Sequence, residues 1–83
     1  VYAARPRPCW LLPRPYPLSD EGGAPVYGAP LQLLNGPERI ETGWWDDRPI
    51  SRDYYLARHD NGKHYWVFYD QRRCGWFLHG IYG

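Results

Sequence analysis

The sequence contains no methionine and only two cysteines, Cys9 and Cys74, in 83 residues. These two form neither a CxxC pair nor the multiple-disulfide framework that staples small secreted domains. We therefore expect an intracellular chain with two ordinary thiols. Because the natural start residue is missing, we also expect the chain to be a segment of a longer protein.

Long apolar runs and a strong net charge are also missing. No stretch approaches the ~20 apolar residues of a membrane span, and no signal-peptide pattern is present. The formal net charge is +1, although residues 1–19 carry three arginines and no acid. A charge this small exerts no strong overall pull on nucleic acid. These absences predict a cytoplasmic domain without membrane contact.

Aromatic residues, in contrast, are abundant: they make up 18% of the chain, with five Trp and eight Tyr. A chain of this length buries only a little over ~60% of the surface that its unfolded form exposes, so its core is thin. Large rings supply much buried area per residue, and the polar tips of Tyr and Trp also suit an interface. Composition alone leaves both uses open.

Prolines divide the chain into two parts. Six of the nine lie within residues 1–25, and Pro30 follows. Proline lacks a backbone donor and fixes φ, and it pushes the preceding residue toward extended geometry, which excludes a helix here. We predict an extended Pro-rich arm over residues 1–30 that packs on a sheet, with residues 9–12 at a sheet edge and a polar loop over residues 19–24. The β domain then occupies residues 31–83.

The remaining chain alternates between strand patterns and turn signals. Strands are predicted over residues 31–34, 38–45, 50–59, 63–69 and 76–81. The turns between them are predicted at residues 35–37, 46–49, 60–62 and 70–75. Together these elements predict a mostly β fold, a small antiparallel meander or partly open barrel of about four to six strands.

Residues 60–62 (Asp-Asn-Gly) are the strongest local signal, because Asn-Gly suits a two-residue type I′ hairpin turn. In that register Tyr55 opposes Phe68 and Ala57 opposes Trp66 on one face. A three-residue loop with a glycine bulge is the alternative, and it shifts the register. In both registers each face is rich in rings and needs cover. The arm would cover one face, and the other is a candidate partner surface.

Several strings follow one another at a specific spacing: residues 36–41 (GPERIE), 43–46 (GWWD) and 52–55 (RDYY), with 10–13 (WLLP), 17–18 (PL) and 76–80 (WFLHG). Their order over nearly the whole chain, up to an end at Gly83, resembles the C-terminal tail of ImuB proteins. ImuB is a bacterial relative of the Y-family DNA polymerases. The resemblance implies a catalytically inactive paralogue that acts as an adaptor in damage-induced (SOS) mutagenesis.

The resemblance also implies partners. Such adaptors bring together the sliding clamp, the RecA-like ImuA and the error-prone polymerase ImuC, and the C-terminal region is the expected site of partner contacts. The polymerase-like body and the main clamp-binding peptide lie upstream, outside this chain. Residues 32–34 (QLL) begin like a clamp-binding peptide, but Asn35-Gly36 follow where an apolar pair is expected, so we interpret them as a strand ending in a turn. We expect a non-catalytic interaction module that recruits ImuA and/or ImuC in error-prone translesion synthesis.

Tryptophan is enriched among binding hot spots, and the neighbours Trp44 and Trp45 would point to opposite faces of a strand. The expected partner-binding rings are Trp44, Trp45, Tyr54, Trp66 and Trp76, some of which must belong to the core. Arg39 and Arg52 form either a polar rim that orients a partner or structural ion pairs between strands.

The alternative function is accessory binding of single-stranded nucleic acid. Arginines interleaved with rings can hold phosphates while the rings stack bases. The candidate arginines are Arg14, Arg58, Arg72 and Arg73. The near-zero net charge and the acids beside the rings favour at most a weak DNA contact.

Catalysis and metal binding are not expected. His59, His64 and His79, with the two cysteines, lack the paired ligands at short spacing that structural zinc requires. Asp46 and Asp47 have no nucleophile or base placed beside them by the sequence. We predict no catalytic residue, no cofactor and no metal.

Overall fold

The structure, a computed structural model, describes residues 10–41 and 50–82. These residues form a six-stranded antiparallel sheet that curls into a half-barrel and contains no helix. The strands are β1 (Trp10–Glu21), β2 (Ala24–Val26), β3 (Gln32–Glu41), β4 (Ser51–Arg58), β5 (His64–Asp70) and β6 (Gly75–Ile81), in the spatial order β2-β1-β6-β5-β4-β3. The predicted mostly β meander or open barrel is confirmed. Within the described ranges, no helix is long and apolar enough to cross a membrane.

The proline-rich segment is a strand of this sheet. β1 pairs with β6, with a register shift between Leu11 and Tyr16, whereas β2 pairs only with the last three residues of β1. The front part of β1 therefore lies at an edge among the described strands, where missing proline donors are tolerated. The polar loop predicted over residues 19–24 is wrong, because Gly22 and Gly23, at φ of 60° and 87°, make a two-residue turn between β1 and β2.

The β4–β5 hairpin takes the three-residue loop. Tyr54 opposes Phe68, Ala57 opposes Tyr65, and residues 60–62 form the loop. The predicted two-residue register is wrong by one position. Gly62, at φ of 88°, supplies the bulge, and the His59 N–H donates to the Lys63 carbonyl at 2.8 Å.

The turn predicted at residues 35–37 does not end a strand. β3 continues through it with two register shifts against β4, so the extra residues form a bulge and not a chain reversal. Gly36 has a φ of 129°, and a Cβ at this position would lie 2.7 Å from the Tyr54 carbonyl oxygen. This close approach explains why a glycine occupies the bulge. β3 ends at Glu41, and residues 42–49, which include Trp44, Trp45, Asp46 and Asp47, lie outside the described residues.

The hydrophobic core lies on one face of the sheet, here called the core face. Side chains alternate along the strands, so every second residue of β4 and β5 points into it. Its buried members are Leu31, Ala57, Tyr65, Val67, Trp76 and Leu78. Each fully buried Leu or Val side chain contributes about 1.5–3 kcal/mol.

Candidate binding surfaces

The opposite face of the sheet carries a second group of rings, the outer-face cluster. Alternate residues of β4 and β5 point to this face. Two side chains of β6, next to a register shift, lie beside them. The members of the cluster are Tyr54, Trp66, Phe68, Phe77 and His79. Phe68 is only 1% exposed, so the cluster forms a packed layer and not a set of separate surface rings.

Trp66 is held in place by two rings on one of its sides. Its indole stacks on His79 with an interplanar angle of 9° and on Tyr54 at a centroid distance of 4.3 Å. The Tyr54 and His79 centroids are only 5.8 Å apart. Rings on opposite sides of the indole would lie much farther apart, so both contact the same side. The half-buried Trp66 is therefore fixed in orientation.

A polar relay runs beneath the indole. Arg52 Nη1 donates to the Tyr54 hydroxyl oxygen at 3.0 Å, and the same oxygen lies 2.9 Å from His79 Nδ1. Because Arg52 can only donate, we assign the Tyr54 O–H as the donor to His79 Nδ1. Burial raises the pKa of Tyr54. Burial, followed by the charge of Arg52, lowers the pKa of His79, which favours the neutral acceptor that the relay needs.

Two guanidinium groups lie over rings of the outer-face cluster. The Arg52 guanidinium carbon is 4.3 Å from the Phe68 centroid, and that of Arg73 is 5.4 Å from the Phe77 centroid. Both distances fall within the range of cation–π attraction. The Arg52 Nε is buried and has no hydrogen-bond partner among the described residues.

An open groove lies beside this layer, between β3 and β5. The groove together with the open solvent at its mouth comprises about 320 Å³ of empty space. Its lining includes Asn35, Glu38, Tyr54, Leu56, Trp66 and Tyr82. Arg52 and Arg58 lie on the same strand and share the face of Tyr54 and Leu56, so the two arginines bracket the groove along β4.

Among residues 10–41 and 50–82, the most exposed large apolar side chains lie on β1. Trp10, Leu11 and Tyr16 are 68%, 60% and 54% exposed. Because neighbouring residues of a strand point to opposite faces, Leu11 lies on the other face from Trp10, so we give the name β1 surface to the exposed rings of Trp10 and Tyr16. Arg14 lies between them on the strand and is also exposed. The sequence predicts a sheet edge at residues 9–12, which include Trp10, but it predicts the partner-binding rings elsewhere. The position of the β1 surface at a proline-rich edge is the signal that could have identified it, because an edge leaves side chains without a neighbouring strand on one side.

The outer edges of the sheet carry prolines. β1 contains Pro13, Pro15 and Pro17, and β3 contains Pro37. Proline offers no N–H to an incoming strand and disfavours edge-to-edge pairing. A partner that approaches these edges is therefore expected to contact side chains, and not to extend the sheet.

The predicted partner-binding rings fall into three groups. Trp44 and Trp45 lie outside the described residues. Trp76 belongs to the core cluster at 6% exposed, and Tyr54 is 4% exposed within the outer-face cluster, so neither ring is an exposed anchor. Trp66 is half-buried and lines the groove.

Arg39 forms an ion pair across β3 and β4. Its Nε donates to Asp53 Oδ1 at 2.8 Å and its Nη2 donates to Oδ2 at 3.2 Å, while Gln71 donates to the same Oδ2 at 2.8 Å. Because of these bonds the pKa of Asp53 is lowered and that of Arg39 is raised. The Asp53 side chain is 11% exposed, whereas that of Arg39 is 57% exposed. This geometry is that of a structural ion pair between strands, one of the two roles predicted for Arg39, and Asp53 is its buried member.

The structure does not gather the four predicted nucleic-acid arginines at one place. Arg14 lies on β1 and Arg58 at the end of β4, whereas Arg72 and Arg73 lie in the turn after β5. The backbone N–H groups of Arg72 and Arg73 donate to Asp70 Oδ1 at 2.8 and 3.0 Å, which fixes this turn. All four arginines are exposed.

The three histidines and Cys74, which belong to the part of the chain that the structure describes, do not converge, and Cys9 lies outside the described residues. His59 Nδ1 accepts from the Asn61 N–H and its Nε2 lies 3.0 Å from the Tyr27 carbonyl oxygen, so both ring nitrogens are occupied. Among the described residues, no group of three or more His, Cys, Asp or Glu side chains is placed to hold a metal ion. Comparisons with protein-family models, curated proteins and solved structures find no match to this chain.

Proposed function

We propose that the chain is a non-catalytic protein-interaction module, the C-terminal part of a cytoplasmic ImuB-like adaptor that recruits ImuA and/or the error-prone polymerase ImuC in translesion DNA synthesis. The observation that carries this proposal is the β1 surface. A domain with so thin a core gains by burying every large ring it can. Leaving Trp10 at 68% exposed therefore favours a role for this ring outside the domain.

The energetic gain on binding is considerable. A Trp side chain buries about 150–250 Å², so covering the exposed part of Trp10 on a partner contributes on the order of 3 kcal/mol at ~25 cal/mol per Å². Tyr16 adds a further ring at 54% exposed. Aromatic anchors of this kind dominate measured binding energies.

Charge favours a partner with acidic groups. Arg14 is exposed beside Tyr16, and no acidic residue occurs before Asp20. Opposite charges around an apolar centre steer encounter and fix orientation more than they add affinity. The spacing of the strings that resemble ImuB, which includes residues 10–13 and 17–18, lends independent support.

The experiment is an equilibrium titration of the 83-residue chain against purified ImuA and, separately, against purified ImuC. We expect at least one partner to bind with a Kd in the micromolar range or tighter and with a negative heat-capacity change, the marker of apolar burial. Binding to neither partner at 100 μM would overturn the proposal.

A further inference from the structure

We propose that the groove beside Trp66 binds a base of single-stranded nucleic acid, and that Arg58 and Arg52 hold phosphates of the same strand on the two sides of that base. This site lies on the outer face of β4 and β5 and is distinct from the β1 surface. The inference therefore does not depend on the proposed protein partner.

The aromatic walls suit a flat base. Trp66, Tyr54 and Tyr82 line the groove, and stacking of a base on an aromatic side chain is worth about 1–3 kcal/mol. Tyr54 and His79 already hold the indole in one orientation. Little side-chain entropy is then lost when a base binds, which favours affinity.

The polar lining can distinguish bases. The side-chain amide of Asn35 offers a donor and an acceptor, whereas the carboxylate of Glu38 only accepts. Carboxylates accept from the exocyclic amino group of cytosine, and Asn pairs with adenine. Thymine has no exocyclic amino group and offers a carboxylate only its ring N–H. The groove should therefore prefer cytosine or adenine over thymine.

The arginines place the phosphates at the two ends of the groove. Arg52 and Arg58 are six residues apart on β4, which corresponds to roughly 20 Å at 3.3–3.4 Å per residue. Glu38 repels phosphate from the middle of the groove. A single strand fits this arrangement better than a duplex, because a base that enters the groove must be unstacked and unpaired.

The test is fluorescence anisotropy of labelled 12-nucleotide oligo(dC), oligo(dA) and oligo(dT) with the 83-residue chain, over a range of salt concentrations. We expect oligo(dC) or oligo(dA) to bind at least 5-fold more tightly than oligo(dT). Asn35→Ala should reduce this preference to less than 2-fold. Because Asn35 is exposed, this change should leave the sheet intact, which far-UV circular dichroism verifies.

Arg58→Gln and Arg72→Gln form a matched pair, since each removes one exposed positive charge. Arg58→Gln should weaken binding at least 5-fold and reduce the slope of log K against log salt by about 0.7. Arg72→Gln, in the turn beyond the Arg52 end of the groove, should change affinity by less than 2-fold. Trp10→Ala should leave oligonucleotide binding unchanged, which separates this site from the proposed partner surface.

Absence of binding by all three oligonucleotides at low salt would overturn the inference. Equal effects of Arg58→Gln and Arg72→Gln would overturn it as well, because they indicate diffuse electrostatic attraction. Equal affinity for the three oligonucleotides would show that the groove does not read a base.

Discussion

The Tyr54 hydroxyl lies 2.9 Å from Nδ1 of His79, 25 positions later in the chain. Tyr54 belongs to β4 and His79 to β6, with β5 between them. The bond therefore joins two strands that share no backbone ladder. The rings of Tyr54 and His79 both contact the buried Phe68 ring, at centroid distances of 5.0 and 5.7 Å, and both stack on Trp66.

Tyr54→Phe tests the importance of the hydrogen bond between Tyr54 and His79. The substitution keeps the ring stacking but leaves His79 Nδ1 and Arg52 Nη1 without the hydroxyl. We expect the free energy of unfolding to fall by about 1–3 kcal/mol, measured by urea denaturation. Tyr16→Phe, at an exposed ring, is the control and should change it by less than about 0.5 kcal/mol. Equal effects of the two changes would contradict the importance of the relay.

The stability of the domain should depend on pH through His79. Its pKa is lowered in the folded state from the ordinary 6.5, so the unfolded chain binds more protons between the two pKa values. The free energy of unfolding is therefore not reduced by His79 above about pH 6.5. It falls as the pH drops from there toward the folded-state pKa of His79. NMR titration of the His79 ring should give a midpoint below 6.5, and a midpoint above 6.5 would contradict the geometry.

Asp53 should produce a second dependence, at lower pH. Its pKa is lowered from the ordinary 3.8, chiefly by the hydrogen bonds from Arg39. The stability that it contributes is present above about pH 4 and is lost as pH falls through the folded-state pKa. Asp53→Asn should lower the urea midpoint at pH 7 and flatten the loss of stability below pH 4. Arg39→Gln should lower the midpoint at pH 7 at least as much, because it leaves the nearly buried Asp53 carboxylate without its cation.

Gly36→Ala tests the bulge in β3. A Cβ here would lie 2.7 Å from the Tyr54 carbonyl oxygen and 2.8 Å from Tyr55 Cδ2, at a φ of 129°. We expect a loss of at least about 2–3 kcal/mol from strain and displacement. Gly23→Ala, at a φ of 87° with no atom within 4 Å, should cost about 1–2 kcal/mol. Thermal unfolding of the two variants gives the comparison.

The fold class could be predicted from the sequence because alternation and turn chemistry act locally. Asn61-Gly62 predicts the β4–β5 hairpin. The same residues suit both a two-residue loop and a three-residue loop, so the sequence does not decide the register of the hairpin. The bulge at Gly36 was missed because Asn-Gly-Pro has the composition of a turn. Only the pairing with β4 shows that the chain continues in the same direction.

The candidate site was harder to predict, because exposure depends on which neighbour covers a ring. Trp76 and Trp66 have the same side chain, yet Trp76 is sealed by the core cluster and Trp66 lines a groove. The face of the sheet to which each of these two side chains points depends on the pairing of β5 with β6 and on the register shift next to Trp66. A single sequence does not specify that shift. The sequence predicts Trp10 as part of a covering arm, and its 68% exposure becomes visible only in the folded sheet.

The most direct measurement of the proposed function is the change in affinity for ImuA or ImuC, whichever binds, when Trp10 is replaced by alanine. The control is Leu34→Ala on β3, which removes another exposed apolar side chain, 42% exposed, near the opposite edge of the sheet. We predict at least a 10-fold loss of affinity for Trp10→Ala and less than a 2-fold loss for Leu34→Ala, with both variants folded. Unchanged affinity in Trp10→Ala, in a complex that the parent chain forms, would contradict the assignment of the β1 surface as the binding site.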